Sequence, residues 1–176
     1  MNKPIQRSAV IPLQPYDETS GSMTCSIARR GSRVRAQFQL EGIADLAPAS
    51  PSAGSSRKNE LWRATCFELF IAPRFEDAYL ELNAAPSGDW NAYLFDRYRE
   101  SMREAPIKPL RIKMEPNRFL LEADLEPLSF LNGVEWEVGI SAVLSRLTPA
   151  RVEYWALEHK AAQPDFHFRG AFLVPL

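Results

Sequence analysis

The side chains best suited to chemistry in this sequence gather between positions 60 and 99. Trp62, Arg63, Glu68, Glu81, Asn83, Trp90 and Asn91 fall there, and Trp155 adds a ring closer to the C-terminus. Indole rings lie well on the apolar C–H faces of pyranose sugars, while carboxylate, amide and guanidinium groups pair with the rim of hydroxyls. Together these residues form a candidate ligand-binding set for a saccharide or sugar derivative. Each also has a plainer reading. Tryptophans fill β-sheet cores, and an Arg–Glu pair on a sheet surface contributes only about 0–1 kcal/mol.

The same residues admit other chemistries. Glu68 and Glu81 could form a glycosidase-like carboxylate pair, which needs a separation of roughly 5–10 Å. The sequence has no Gly-x-Ser-x-Gly, no phosphate-binding glycine loop and no His-Glu-x-x-His. The expectation is therefore non-catalytic binding, with a glycoside-processing enzyme as a third reading. His159, Asp165 and His167 have side chains that could suit zinc, but three such residues without geometry identify no ion. A haem-b pocket needs axial His or Met inside an apolar cavity. His159 and His167 are the histidines, and Met23, Met102 and Met114 lie far from them in sequence.

The elements that must position these groups are strands. Val34, Ala36, Phe38 and Leu40 alternate with Arg33, Arg35, Gln37 and Gln39, and Arg30-Gly31-Ser32 reads as a tight hairpin turn. Similar alternation runs through Leu110–Met114, Phe119–Leu125 and Trp136–Leu144, and closing strands are expected over Val152–His159 and Ala171–Leu176. In the central region Phe67, Leu69 and Ile71 should face a core, as should Leu80, Leu82 and Ala84. Pairing of those two strands would put Glu68 on one face with Tyr79, Glu81 and Asn83. That face is too polar for a core and too aromatic for an ordinary surface. Whether Trp90 or Tyr93 points inward is left open by the pattern. Asp96–Glu104 is the best helical candidate, ended by Pro106. About nine or ten short strands in all predict an antiparallel β-sandwich of the immunoglobulin or jelly-roll kind.

The chain of 176 residues suits one domain, and the Pro-, Ala- and Ser-rich stretch 44–59 reads as a long flexible loop within it. A net charge of −1 gives no electrostatic footprint for nucleic acid or an anionic membrane. No apolar run approaches the length of a bilayer span, and Met1–Asp17 shows no secretory signal, so a cytoplasmic location is expected. Cys25 and Cys66 then read as reduced, buried hydrophobes, with a disulfide between them as the alternative.

The strings Leu61–Phe70, Tyr79–Asn83 and Pro86–Tyr93, with Tyr154–His159 and Pro164–His167 toward the end, resemble bacterial DOMON-like domains. Those domains are related to family 9 carbohydrate-binding modules. The resemblance spans most of the chain and implies that sandwich fold. Its wider superfamily implies either sugars held between aromatic rings, some with structural calcium, or haem b as the alternative ligand. It also implies, by analogy alone, a protein partner in cell-wall metabolism. Secreted carbohydrate-binding modules usually carry a signal peptide and accompany a glycosidase, and neither is expected of this chain.

Overall fold

The computed structural model describes residues 6–47 and 55–176. The middle of the expected 44–59 loop, residues 48–54, lies outside them. Among the described residues there is no α-helix, and every pairing between named strands is antiparallel. The strands are β1 (Gln6–Pro15), β2 (Ser22–Arg30), β3 (Arg33–Glu41), β4 (Cys66–Pro73), β5 (Tyr79–Ala84) and β6 (Trp90–Phe95). They continue with β7 (Arg103–Glu104), β8 (Arg111–Glu115), β9 (Arg118–Asp124), β10 (Trp136–Leu147), β11 (Ala150–Ala156) and β12 (Val174–Pro175).

Their spatial order is β7-β6-β5-β4-β10-β11-β1-β2-β3-β9-β8, with β12 beside the start of β10. The hinge of this path is β1. Its residues up to Leu13 pair with β2, and Gln14 and Pro15 then cross to Ala156 and Trp155 of β11. The sheet is thus continuous and curls so that its two halves face each other. Phe67 of β4 stacks on Phe119 of β9 with centroids 4.0 Å apart, and Phe38 of β3 lies 4.9 Å from Phe67. This aromatic cluster joins the two halves across the main core.

Burial follows the sequence pattern on one half and departs from it on the other. Along β2, β3 and β9, buried and partly exposed residues alternate, as a half-solvated antiparallel sheet requires. Every residue of β4 and β5 is buried, and Phe166, His167 and Phe172 pack on their outer face against Phe70 and Tyr79. Replacing Phe67 with Ala should cost about 3–5 kcal/mol. Phe75 is 86% exposed at the β4–β5 turn, and its replacement should cost within about 0.5 kcal/mol. Urea denaturation of the two variants distinguishes them.

Several sequence expectations are met closely. The β2–β3 connection is the two residues Gly31 and Ser32, with Gly31 at φ +62. Cys25 and Cys66 are both buried and free. Other expectations are corrected. Residues 96–104 form no helix: Arg99 and Ser101 take φ +54 and +58, left-handed conformations that interrupt any right-handed turn. Residues 171–176 give only the two-residue β12, preceded by a 3-10 turn at Arg169–Ala171. β1 is absent from the expectations, and Pro12 lies within it. Proline is tolerated there because this part of β1 pairs with β2 alone and leaves its other edge free.

Candidate functional site

The outer face of β4, β5, β6, β10 and β11 carries a second, smaller aromatic cluster. It contains Phe70, Tyr79, Tyr93, Phe95 and Phe172, with Trp62 and Phe166 packed against it. Register explains the grouping. Glu68 sits opposite Asn83 and Ser141, Phe70 opposite Glu81 and Gly139, and Glu81 opposite Tyr93. Partners across an antiparallel pair share a face, so all of these project outward together. Gly139 has no side chain to offer, and a Cβ there would lie 2.7 Å from the Phe172 ring. That ring therefore packs directly on the sheet.

A cavity of about 450 Å³ opens in this face, within the about 300–1,000 Å³ usual for ligand clefts. Its floor is Glu68, Phe70, Glu81 and Val143, and its walls include Trp62, Phe95, Tyr154 and Phe166. Trp62 is delivered by a 3-10 turn, Leu61–Arg63, and meets Tyr93 edge-on at 6.0 Å. Two loops form the rim, and Asp165 ties them together. Its carboxylate accepts hydrogen bonds from Tyr98 Oη at 2.7 Å, Arg99 Nη2 at 3.1 Å and the His167 backbone N–H.

The floor holds two buried acids. Glu68 Oε2 accepts from Ser141 Oγ at 2.9 Å, and Glu81 Oε1 accepts from Asn83 Nδ2 at 2.6 Å. Among the described residues no lysine or arginine forms an ion pair with either. His167 Nε2 lies 3.7 Å from Glu81 Oε2. Burial pushes the Glu68 carboxyl well above the usual range, and the neighbouring Glu81 charge adds to this. Burial likewise raises Glu81, against the Asn83 hydrogen bond and the more distant Arg99 charge. Two close carboxylates in a poorly solvated site cannot both ionise readily, so around neutral pH the pair retains proton.

His167 is neutral, its pKa lowered to about 4 by burial and by the Arg99 charge, with Asp165 opposing. Tyr79 Oη accepts the Arg99 backbone N–H at 3.1 Å and lies 2.8 Å from His167 Nδ1. A phenol proton donated to Nδ1 would leave the imidazole proton on Nε2, the nitrogen nearest Glu81.

The residues singled out from sequence take different places. Trp62, Glu68 and Glu81 line the cavity. Asn83 is fully buried beneath it and holds Glu81. Arg63 is exposed and pairs with Glu60 at 2.7 Å, away from the lining. Trp90 and Trp155 face the main core at 3% and 1% exposure, while Tyr93 points outward. Asn91 clamps residues 57–59: its Oδ1 accepts from Arg57 Nη1 at 2.9 Å and its Nδ2 donates to the Lys58 carbonyl. Arg57 also lies over the Trp90 ring, 4.2 Å from its centroid.

His159 bonds the Gln14 carbonyl through Nε2 and packs on Tyr16, apart from His167. Among the described residues no group of three or more His, Cys, Asp or Glu is arranged to hold a metal ion. Met102 lines the cavity with His167, while Met23 is buried in the main core. Arg99, Phe95, Tyr154 and Phe166 also line it and were not singled out from sequence. For Tyr154 the signal was present, since β11 alternates and Trp155 faces the core. For Arg99 it was not, because the loop conformation that presents it has no periodic signature.

No family model matches the sequence, and no curated protein is similar to it at a significant level. A solved structure is similar: a Bacteroides uniformis protein described as a "putative carbohydrate-binding protein". It shares 14% sequence identity, with a TM-score of 0.68 over 94% of this chain and 84% of that one. The likeness establishes a shared all-β fold. No helix among the described residues is long and apolar enough to cross a membrane.

Proposed function

We propose that this protein is a non-catalytic small-ligand-binding domain that takes a saccharide or sugar derivative into the cavity on the outer sheet face. One observation carries the reading: a single cavity combines aromatic walls with two buried carboxyl groups at its floor. Sugar rings need both kinds of surface, an apolar plane for their C–H faces and fixed polar groups for their hydroxyls. Trp62 and Tyr154 supply ring faces, Glu68 and Glu81 supply hydroxyl partners, and His167 and Arg99 supply donors at the rim. The fold shared with a protein described as carbohydrate-binding is consistent with this role, as is the sequence resemblance to DOMON-like and family 9 carbohydrate-binding domains. The same proposal takes the described residues as one domain and, by analogy with DOMON-like domains, gives it a protein partner in cell-wall metabolism.

A thermal-shift screen against mono- and disaccharides tests it. A ligand at a hundred times its Kd adds about 2.7 kcal/mol. For a chain of this size that raises Tm by about 5–10 °C. Trp62→Ala should abolish the shift. A full shift in that variant, or none with any saccharide, would sink the reading.

A further inference from the structure

The polar groups at the cavity floor discriminate among sugars by charge. Glu68 and Glu81 are 2% and 4% exposed, and both face the cavity from adjacent strands. Their hydrogen bonds come from a hydroxyl and an amide, Ser141 and Asn83, which are neutral donors. The nearby imidazole of His167 is uncharged. Arg99 is already engaged with Asp165 at the rim, 3.1 Å away. The floor therefore holds two acids whose nearest cation among the described residues, Arg99 at the rim, is shared with Asp165. A neutral sugar would need only dipolar partners, which amides supply without the cost of burying carboxylates. An anionic sugar would be repelled.

The geometry points to a ligand bearing a protonated amine, an amino sugar with its nitrogen unacylated, whose ammonium group sits over Glu68 and Glu81. This inference rests on the saccharide reading and names its class. An ammonium offers three donors, enough to reach an oxygen of each carboxyl and one further acceptor. It supplies the charge that the floor lacks, and charge-assisted bonds to it are shorter and stronger than neutral ones. Binding would draw both acids into the ionised state and release about one proton.

Near neutral pH the other facing groups keep their charge states. Burial pushes Tyr79 up to about 12 and raises Tyr93 and Cys66, His167 stays neutral, and Asp165 and Arg99 stay ionised. Tyr154 completes the titratable groups lining the cavity. The carboxyl pair is thus the source of the released proton.

The test is isothermal titration of the whole chain near neutral pH with glucosamine, galactosamine, their parent hexoses and their N-acetyl derivatives. Cyclohexylamine serves as an amine without hydroxyls. At least one hexosamine should bind about tenfold or more tighter than its parent and its N-acetyl form. Titration in buffers of different ionisation enthalpy should show proton release. In the Glu68→Gln/Glu81→Gln variant both the preference and the release should vanish. Hexoses binding as tightly as hexosamines would overturn the amine inference and leave the saccharide reading standing. Cyclohexylamine binding with no sugar bound would support the cation site and sink the saccharide reading. Silence from every probe would sink both.

Discussion

Changing Glu68 and Glu81 together to glutamine should stabilise the free protein at mildly alkaline pH by about 2–4 kcal/mol. The corresponding rise in Tm is about 4–16 °C. In the unfolded chain both side chains ionise near the ordinary value of 4.5, whereas in the folded chain burial and mutual repulsion raise both. A group whose folded pKa is raised keeps its proton longer in the folded state. Its contribution to stability is fully present below pH 4.5 and is lost as pH climbs through the raised folded value. Glutamine keeps the shape and can still accept from Ser141 and Asn83, but it has no charge to bury. The gain should therefore disappear near pH 4.5, which a pair of thermal melts would show. A variant no more stable than the parent at pH 8 would mean that the acids are well solvated or matched by a cation.

Glu153→Ala should be strongly destabilising, by about 3–5 kcal/mol, because it strands a buried guanidinium. Arg146 is 8% exposed, and its Nη1 donates to Glu153 Oε1 at 2.9 Å. Thr19, Arg151 and Trp155 donate to the same carboxylate. Burial alone would raise the Glu153 pKa, but these donors and the Arg146 charge outweigh it and hold it below the ordinary range. The sign is opposite to that of the cavity pair: this stabilisation is present above the unfolded value and is lost as pH falls. Chemical denaturation at neutral pH is the check. A double change of Arg146 and Glu153 to a matched apolar pair should recover much of the loss. A small effect of the single change would show that Arg146 reaches water when its partner is removed.

How much of this was legible in the sequence depends on which face of which strand is considered. Period-two alternation located β3, β8 and β9, because on those strands one face meets core and the other meets solvent or charge, and it located β10 through its inner row Trp136, Val138, Ile140, Ala142 and Leu144. It also placed Glu68 with Glu81 and Asn83, since register between two strands follows from which residues must face the core. It could not tell Trp90 from Tyr93, because β6 is buried on both sides and carries large side chains on each. The roof of the cavity was not legible at all. Asp165 and Arg99 are 66 residues apart and meet only through loops, one of them built on left-handed residues at 99 and 101. His167 stood out in sequence as a candidate ligand for a metal ion or haem iron and within the Pro164–His167 string. Its partnership with Tyr79 depends on where the C-terminal segment crosses the sheet.

The central claim, that a saccharide enters the cavity beside Trp62, is tested most directly by intrinsic fluorescence. The chain has four tryptophans, and Trp90, Trp136 and Trp155 are at most 3% exposed in the main core. Trp62 alone among them lines the cavity. Titration with a saccharide found in the thermal screen should give a saturable change in emission that disappears in Trp62→Phe. Calorimetrically confirmed saccharide binding that leaves the Trp62 emission unchanged would contradict the account, since the sugar would then be bound somewhere else.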